Sequence, residues 1–384
     1  MTTTINNEHK KLNVPNLRFP EFQGEWEKKS LGEIGESFIG LTYKPTDVVS
    51  EGGLIVFRSS NIQNGCMDYK DIVRVNKNVK EKLITKKDDL LVCARNGSAR
   101  LIGKNAILYE TDANQTFGAF MMVFRSDKNH FVHQLLNTRR YSSQVSENLG
   151  ARINQITSSD LSSFEFFFPK ENSEMNKIAA LLDLLDERIA TQNKIIDKLQ
   201  SLIKGNRNDV FGKLRKSVGF NAMISDVLSY EQPQPYIVEN TEYTAEGIPV
   251  LTANKAFVLG YTSETNGIYD KGDCIIFDDF TLDCKYVDFP YKIKSSAIKI
   301  LTAKNKELLR YTFEFLKYLD LSTEEHKRHY IAETQNQEFI LPTEQIVKTI
   351  AHIFSTLSVR METAVKQRNV FEKQKQYLLR QMFI

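Results

Sequence analysis

The chain has 384 residues, of which 41% are hydrophobic and 26% are charged, the proportions of an ordinary soluble protein of roughly two to three domains. Its net charge of +3 is too small to indicate a nucleic-acid binder by charge alone. The four cysteines form no CxxC pair, which argues against a structural zinc site and a disulfide framework. No apolar run approaches the ~18 residues of a membrane span, and the N-terminus lacks the apolar core of a signal peptide, so we expect a cytoplasmic protein.

Short runs of branched and aromatic residues in the first part of the chain predict β-strands. The predicted strands are Leu54–Arg58, Leu90–Ala94, Ala106–Tyr109, Phe120–Phe124 and Leu161–Phe168. Residues His130–Leu149 are predicted to be helical. The only tryptophan, Trp26, follows Leu17–Phe22 in a segment that we expect to dock onto the body of the protein. These elements predict a mixed α/β unit that ends at Pro169.

A long amphipathic helix is predicted from Ser173 to Ile203. Apolar residues recur there at alternating spacings of four and three, the a/d seam of a heptad repeat, with a polar break at Gln192. A helix of roughly 30 residues would be about 45 Å long at ~1.5 Å per residue, and such a seam needs a partner helix. The predicted seam residues are Ile178, Leu182, Leu185, Ile189, Ile196 and Leu199.

A second seam lies 172 positions further along, counted from Ile178 to Ile350. It departs from an apolar pattern near the C-terminus, at Arg368 and Lys375. Its apolar residues are Ile350, Phe354, Leu357, Met361 and Phe371. The segments before the helices repeat as well, since Gly247–Thr252 resembles Gly53–Arg58 and Lys271–Phe277 resembles Lys87–Cys93. We therefore interpret the chain as a tandem repeat, the alternative being two unrelated amphipathic helices.

The repeat predicts an α/β (α+β) protein with two similar globular domains joined by two long helices. The predicted boundaries are residues 1–172 for the first domain with its N-terminal arm, 173–212 for the first spacer helix, 213–342 for the second domain and 343–384 for the second spacer helix. The apolar strands repeat, but the polar loops after them differ: Arg95–Ser98 in one domain and Asp278–Thr281 in the other. This is the pattern expected if the strands maintain the fold and the loops select a ligand.

Catalytic motifs are not found in the sequence, and we predict no catalytic or metal-ligating residue. There is no glycine-rich turn of a methyltransferase, and the nearest phosphate-loop match, Gly97–Asn105, has the wrong spacing. Asp278, Asp279 and Asp283 faintly resemble a metal-dependent nuclease cluster. Two alternatives to a DNA-binding function therefore stay open: a nuclease that uses these carboxylates, and a coiled-coil scaffold that binds protein.

Several segments resemble the DNA specificity subunits of type I restriction–modification systems. Leu17–Phe22 through Trp26, followed by Leu31–Ile34, is similar to the opening of that family. Lys177–Ile189 resembles its first spacer helix, and Ile275–Thr281 with Pro249–Thr252 resembles one of its target-recognition domains. The resemblance covers nearly the whole chain from about Asn13.

The resemblance implies a function and an assembly. Each globular domain would be a target-recognition domain that reads one half of a bipartite double-stranded DNA target. The helices would form an antiparallel coiled coil with pseudo-twofold symmetry and would dock two modification (methyltransferase) subunits, which two restriction (translocase–nuclease) subunits would join. The chain itself would be non-catalytic, and S-adenosylmethionine, ATP and magnesium would belong to the partners.

Polar residues that follow the apolar strands are the candidates for DNA contact. Arg and Lys read guanine, Asn and Gln read adenine, Ser and Thr read either base, and the same side chains hold phosphates. In the first domain the candidates are Arg58, Ser59, Ser60, Asn61, Arg95, Asn96, Ser98, Arg100, Lys104, Arg152, Asn154 and Gln155. In the second domain they are Thr252, Asn254, Lys255, Thr281, Lys285, Tyr286, Lys292, Lys294, Gln335 and Asn336.

Overall fold

The computed structural model describes residues 12–151, 154–253, 256–323 and 327–384. The chain divides into two compact units. The first unit extends to Asn193 and includes Gln367–Ile384 from the end of the chain, and the second unit is Lys194–Lys366. Each unit combines a mixed α/β domain with parts of two long helices, so the expected fold class is confirmed.

The strands of the first unit form two main sheets. They are β1 (Glu27–Ser30), β2 (Glu36–Ile39), β3 (Val48–Val49), β4 (Leu54–Phe57), β5 (Ile62–Gln63), β6 (Cys66–Met67), β7 (Arg74–Val75), β8 (Leu90–Cys93), β9 (Asn105–Ile107), β10 (Thr116–Phe117), β11 (Met121–Arg125) and β12 (Glu165–Phe168). The central sheet is antiparallel in the order β2-β11-β8-β9, and a second sheet has the order β10-β4-β7-β3. Strand β1 pairs with β12 and joins the start of the domain to its end.

The central strands are apolar throughout because both of their faces are buried. In β8, Leu90 and Val92 pack in the core that contains the helices, whereas Leu91 and Cys93 pack in the core that contains β4 and β10. Successive side chains of a strand point to opposite faces, so a continuous apolar run fills two cores at once. The predicted strands at Leu54, Leu90, Ala106 and Phe120 are thereby confirmed, with ends that differ by one residue or two.

Two predictions of secondary structure in the first domain are wrong in detail. The helices are α1 (Leu31–Ile34), α2 (Asn129–Leu135), α3 (Arg139–Ala151), α4 (Ser158–Ser163) and the first long helix, α5 (Asn172–Ser217). The single helix expected at His130–Leu149 is broken between α2 and α3, where the Thr138 hydroxyl donates to the Leu135 carbonyl at 2.6 Å. The strand expected from Leu161 begins later, because Thr157 caps α4 by accepting a hydrogen bond from the Asp160 amide.

The second unit repeats the topology of the first. Its strands are β13 (Ala222–Met223), β14 (Leu228–Glu231), β15 (Ile248–Leu251), β16 (Val258–Thr262), β17 (Cys274–Asp278), β18 (Cys284–Val287), β19 (Lys292–Ile293), β20 (Ile298–Ala303) and β21 (Glu338–Phe339). Its helices are α6 (Ile224–Val227), α7 (Lys306–Leu319) and part of the second long helix, α8 (Glu344–Met382). The sheet order β14-β20-β17-β18 matches β2-β11-β8-β9 strand for strand, and β13 pairs with β21 as β1 pairs with β12. The predicted internal duplication is therefore confirmed at the level of topology.

The two long helices use the predicted seams. Helix α5 has 46 residues, more than the roughly 30 predicted from its seam, and α8 has 39 residues within the predicted range 343–384. In the first unit they are antiparallel, since Asp186 contacts Lys375 and Arg188 lies over Phe371. Six predicted seam residues are buried, namely Ile178, Leu182, Leu185, Ile196, Ile350 and Phe354. The other five are partly buried: Ile189, Leu199, Leu357, Met361 and Phe371.

The N-terminal segment docks on the first unit as expected. Trp26 is buried, and its indole N–H donates to Glu174 Oε1 at 3.2 Å. The Arg18 guanidinium holds the same carboxylate with contacts of 2.7 and 2.8 Å. A buried carboxylate at the start of α5 is thus neutralised by the arm that precedes the domain.

The four cysteines have different surroundings. Cys93, Cys274 and Cys284 are buried, whereas Cys66 in β6 is exposed. Burial raises the pKa of Cys93 and Cys284 to about 11 and that of Cys274 to about 12. No helix in the described parts of the chain has the length and apolarity needed to cross a membrane.

Candidate nucleic-acid interface

Polar segments that are distant in sequence meet at one end of the central sheet of the first unit. We call this surface the first loop cluster, and its segments are Arg58–Asn61, Arg95–Arg100, Gly118–Phe120 and Asn154–Gln155. The Arg95 amide donates to the Phe120 carbonyl at 3.0 Å, and the Ile156 amide donates to the Ala94 carbonyl at 2.9 Å. The turn after β8 is therefore fixed by the segment before β11 on one side and by the segment before α4 on the other.

Hydrogen bonds connect the predicted DNA-binding residues of the first loop cluster. Asn96 Nδ2 donates to Ser59 Oγ at 3.0 Å, and Lys104 Nζ donates to the Ser59 carbonyl at 2.9 Å. Asn154 Nδ2 donates to the Gly97 carbonyl at 3.2 Å. Arg95 and Arg100 are exposed, and Ser59, Ser60, Asn96, Ser98, Lys104, Asn154 and Gln155 are partly exposed. The structure thus brings these predicted residues together on one surface that solvent can reach.

Asn61 has a structural position. Its side chain is fully buried, Oδ1 accepts from the Arg58 amide at 2.8 Å, and Nδ2 donates to the carbonyls of Asp68 and Asp71. All of these bonds stabilise the loop itself, so we revise Asn61 from a base contact to a loop anchor. The Arg58 side chain is one-third exposed and pairs with Asp71 at 2.7 Å, which orients it beside the cluster.

An exposed aromatic ring lies within the first loop cluster and was not among the predicted residues. Phe120 has 59% of its surface exposed, and the Arg95 guanidinium carbon lies 5.3 Å from its ring centroid. The ring borders a groove of about 800 Å³. The apolar wall of the groove includes Leu41, Tyr43 and Met121, and its polar wall includes Arg58, Ser59 and Ser60. The sequence did not indicate Phe120 as a surface residue, because it begins an apolar run that predicts a strand.

The second unit has a comparable surface after its central strand β17. Asp278 Oδ1 accepts from the amides of Phe280 at 3.0 Å and Thr281 at 2.9 Å, which closes the turn. Asp279 Oδ1 accepts from the amides of His329 and Tyr330 at 3.0 and 2.7 Å, which ties the turn to the segment before β21. We call residues 279–283 and 328–336 the second loop cluster. It occupies the same place in the topology as the pairing between the Arg95 turn and Asn154–Gln155.

The remaining candidates of the second domain have varied positions. Thr281, Lys294 and Asn336 are exposed, and Lys285 and Gln335 are partly exposed. Gln335 Nε2 donates to the Ile331 carbonyl at 2.8 Å, within the second loop cluster. The Lys294 amide donates to the Leu251 carbonyl at 3.1 Å, which places Lys294 beside Thr252.

Three candidates of the second domain are buried or already hydrogen-bonded to another side chain of the protein. The Lys292 ammonium is 2% exposed, pairs with Glu264 at 2.7 Å and donates to the Asn266 carbonyl at 2.8 Å. The Tyr286 hydroxyl donates to Asp273 at 2.6 Å, and Thr252 is 7% exposed. A buried, paired cation cannot reach a phosphate without breaking its pair, so we revise Lys292 to an interior ion pair and Tyr286 and Thr252 to packing roles. Arg152, Asn254 and Lys255 lie outside the described residues.

The carboxylates of the nuclease alternative are engaged by protein donors. Asp278 and Asp279 are buried and accept the amide hydrogen bonds given above, and Lys299 Nζ lies 3.7 Å from Asp279 Oδ2. Asp283 lies 3.9 Å from Lys317. In the described parts of the chain, His133, Asp183 and Asp186 could surround a metal ion, but Lys375 and Gln134 already donate to these carboxylates. The geometry therefore gives no support to metal-dependent cleavage at Asp278, Asp279 and Asp283.

Comparisons with known proteins agree with this architecture. Residues 23–201 match the family model described as "Type I restriction modification DNA specificity domain". The chain is 44% identical over 126 residues, 31% of each protein, to the type I restriction enzyme EcoR124I/EcoR124II specificity subunit of Escherichia coli. It is 29% identical over 181 residues to the EcoKI specificity subunit of Escherichia coli strain K12, covering 45% of this chain and 39% of that subunit. These matches span less than half the length of the relatives.

A solved structure extends the likeness to the whole fold. The crystal structure of a type I restriction–modification S subunit from M. genitalium superposes with a TM-score of 0.68 over 97% of this chain and 99% of that one. At 16% identity, this likeness establishes the fold. The duplicated domains and the two long helices define a class of two-domain α/β proteins with an internal repeat. The chain is similar to the DNA specificity subunits of type I restriction–modification systems, and the match to the domain model of that family lies in its residues 23–201.

Proposed function

We propose that this chain is the sequence-specific DNA-binding subunit of a type I restriction–modification complex. Each domain reads one half of a bipartite target, and the chain itself performs no catalysis. The observation that carries this proposal is the recurrence of a loop cluster at the same place in both domains with different side chains. Arg95, Asn96 and Ser98 occupy the first turn, whereas Phe280 and Thr281 occupy the second. Equivalent surfaces with unlike donors and acceptors suit the reading of two different half-sites.

The chemistry of the first loop cluster suits the major groove of DNA. The exposed guanidinium of Arg95 can donate to guanine, the amide of Asn96 can pair with adenine, and Arg100 can neutralise a phosphate. The hydrogen bonds among these loops position the donors before DNA arrives, which lowers the entropic cost of binding.

The long helices provide surfaces for partner subunits. Eight large apolar side chains on them are exposed in the free chain: Leu184, Ile195, Leu202, Ile346, Ile353, Val359, Val370 and Tyr377. Exposed apolar residues of this kind indicate protein interfaces. In the proposed assembly they dock two modification subunits, which two restriction subunits join. S-adenosylmethionine, ATP and magnesium then belong to these partners.

Binding of DNA duplexes by the complex with its modification subunits tests this proposal. Arg95→Ala should weaken or relax the reading of one half-site and leave the other half-site unchanged. Lys87→Ala is the matched control, because Lys87 is an exposed cation that precedes β8, at the opposite end of the strand from Arg95. If Arg95→Ala weakened the recognition of both half-sites equally while the fold stayed intact, the proposal that each domain reads one half-site would be contradicted.

Two further measurements separate the alternatives. A scaffold that binds only protein would show no sequence-dependent DNA binding, whereas the proposed subunit binds DNA with an affinity that falls steeply as salt rises. A nuclease would cut DNA as a purified chain with a divalent metal, and Asp279→Asn would abolish the cutting.

A further inference from the structure

The position of Phe120 is fixed although its ring is exposed. The amides of Ala94 and Arg95 both donate to the Phe120 carbonyl, at 2.9 and 3.0 Å, and the Met121 amide donates to the Gly118 carbonyl at 2.8 Å. The backbone therefore cannot carry the ring away from the surface without breaking several hydrogen bonds. An exposed phenyl ring forgoes the stabilisation of burial, so a structure that holds it in this position suggests a binding partner for it.

An arginine covers one part of the ring. The Arg95 guanidinium carbon lies 5.3 Å from the ring centroid, a distance at which a cation interacts with an aromatic face. Arg95 remains exposed in this position, so it can still donate in the plane of its guanidinium group. Ring and guanidinium together form a composite surface with an apolar edge and a row of donors.

A second pair of this kind lies in the second loop cluster. The Arg328 guanidinium carbon lies 5.9 Å from the Phe280 ring centroid, and Phe280 is 37% exposed. The segments that form the pair differ between the domains, because Phe120 lies before β11 whereas Arg328 lies before β21. The turn after the central strand supplies the arginine in the first domain and the phenylalanine in the second. Because the arginine and the phenylalanine come from different segments in the two domains, inheritance of one residue at one position does not explain why the pair recurs.

The major groove of DNA presents one apolar group at its base edges, the 5-methyl group of thymine, and phenylalanine is one of the side chains that contact it. We propose that Phe120 contacts the 5-methyl group of a thymine in the half-site that the first domain reads. This inference rests on the proposed function, because it assigns one base contact within the same interface. Arg95, held against the ring, donates to the adjacent base or phosphate and fixes the ring beside the methyl group.

The experiment compares thymine with uracil, which lacks only the methyl group. The complex with the modification subunits is used to select its preferred duplex from a random library, and each thymine of both half-sites is then replaced singly by deoxyuridine. One replacement in one half-site should weaken binding by the wild-type complex about fourfold, the effect of removing one buried methyl-sized group. The Phe120→Ala complex should bind the thymine and uracil duplexes equally well at that position.

Two variants serve as controls. Phe120→Leu keeps an apolar contact and should retain part of the preference for thymine. Phe280→Ala should leave the preference at this thymine unchanged, because Phe280 belongs to the other domain. Fluorescence of the buried Trp26 reports whether the first unit of each variant is folded.

The outcomes distinguish this inference from the proposed function. If no duplex is selected, the proposed function is wrong and the inference with it. If a duplex is selected but no thymine is sensitive to loss of its methyl group, the inference is wrong and the proposed function stands. The inference is equally overturned if the sensitivity persists in Phe120→Ala or lies in the half-site that Arg95→Ala leaves unchanged.

Discussion

The ammonium of Lys375 lies 2.6 Å from Oδ1 and 2.7 Å from Oδ2 of Asp186, and this ion pair joins α8 to α5 within the first unit. Gln134 of α2 donates to the same carboxylate at 3.0 Å and to Asp183 at 2.8 Å. Three helices therefore share one buried polar cluster. The lysine that interrupts the apolar seam is stabilised there because its charge is neutralised across the helix pair.

Lys375→Met should destabilise the first unit by about 2 kcal/mol. Removing one partner of a buried ion pair typically costs about 3–5 kcal/mol, and the value here is lower because 26% of the Asp186 side chain is exposed. Urea unfolding followed by Trp26 fluorescence measures the loss. The double variant Lys375→Met with Asp186→Leu removes both charges and should recover most of it, whereas equal stability of Lys375→Met and wild type would contradict the role of the pair.

Glu314→Gln should destabilise the second unit by about 3 kcal/mol. The Glu314 side chain is 1% exposed and accepts from Arg207 of α5 at 2.7 Å and from Arg310 at 2.8 Å, so its loss leaves two cations without their carboxylate. Thermal unfolding followed by circular dichroism measures the change. Glu307→Gln, the same substitution at an exposed position of α7, is the control and should change stability by less than about 0.5 kcal/mol.

His130 should stabilise the first unit more at acidic than at alkaline pH. Its hydrogen bond with Asp183 raises its pKa above the ordinary value of 6.5, and Asp88 on the other side of the ring acts in the same direction. A raised pKa in the folded state means that this stabilisation is complete below pH 6.5 and disappears as pH rises through the raised value. The difference in unfolding free energy between wild type and His130→Gln should therefore shrink as the pH rises above 6.5. A difference that grows with pH would contradict this assignment.

His133 should act in the opposite direction. Burial lowers its pKa to about 4, so the folded protein keeps a neutral ring while the unfolded chain binds a proton below pH 6.5. The stability of the wild type should fall by up to roughly 3 kcal/mol between pH 6.5 and 4 from this group, at about 1.4 kcal/mol per pH unit. His133→Gln should flatten the pH dependence of unfolding in this range, and an unchanged slope would show that His133 does not stay neutral.

The length of the spacer helices should set the gap between the half-sites. Inserting four residues between Asn193 and Lys194 and four between Lys366 and Gln367 adds about one helical turn to each helix. At ~1.5 Å per residue and ~3.4 Å per base pair, the gap should lengthen by about one or two base pairs. Sequencing of methylated sites gives the gap directly. Four residues inserted at Gly52, in an exposed turn, should leave it unchanged.

Periodic patterns predicted most of the fold. The spacing of Ile178, Leu182 and Leu185 predicted the first long helix, and the same spacing from Ile350 predicted its partner, because a buried stripe must recur at the helical period. The apolar run at Leu90 predicted the central strand for the corresponding reason. The break between α2 and α3 was not predictable in this way, since it depends on one hydroxyl group that caps a carbonyl.

Contacts between distant residues limited the prediction of the candidate site. Arg95, Asn96 and Ser59 were selected for their residue type, and the fold brings them together. The residue type of Lys292 does not distinguish it from an exposed lysine. Its burial depends on an ion pair with Glu264, which lies in a separate segment. Phe120 was overlooked because a phenylalanine at the start of an apolar run normally belongs to the core.

The contrast between the one exposed cysteine and the three buried ones makes the protein convenient for spectroscopy. Maleimide reagents react with thiolates, and burial suppresses ionisation of the Cys93, Cys274 and Cys284 thiols. A fluorophore should therefore attach selectively at Cys66, in a strand that pairs with the segment directly after Asn61. Such a label would sit close to the first loop cluster without any engineered substitution, so its emission could follow the arrival of a duplex at that domain in real time.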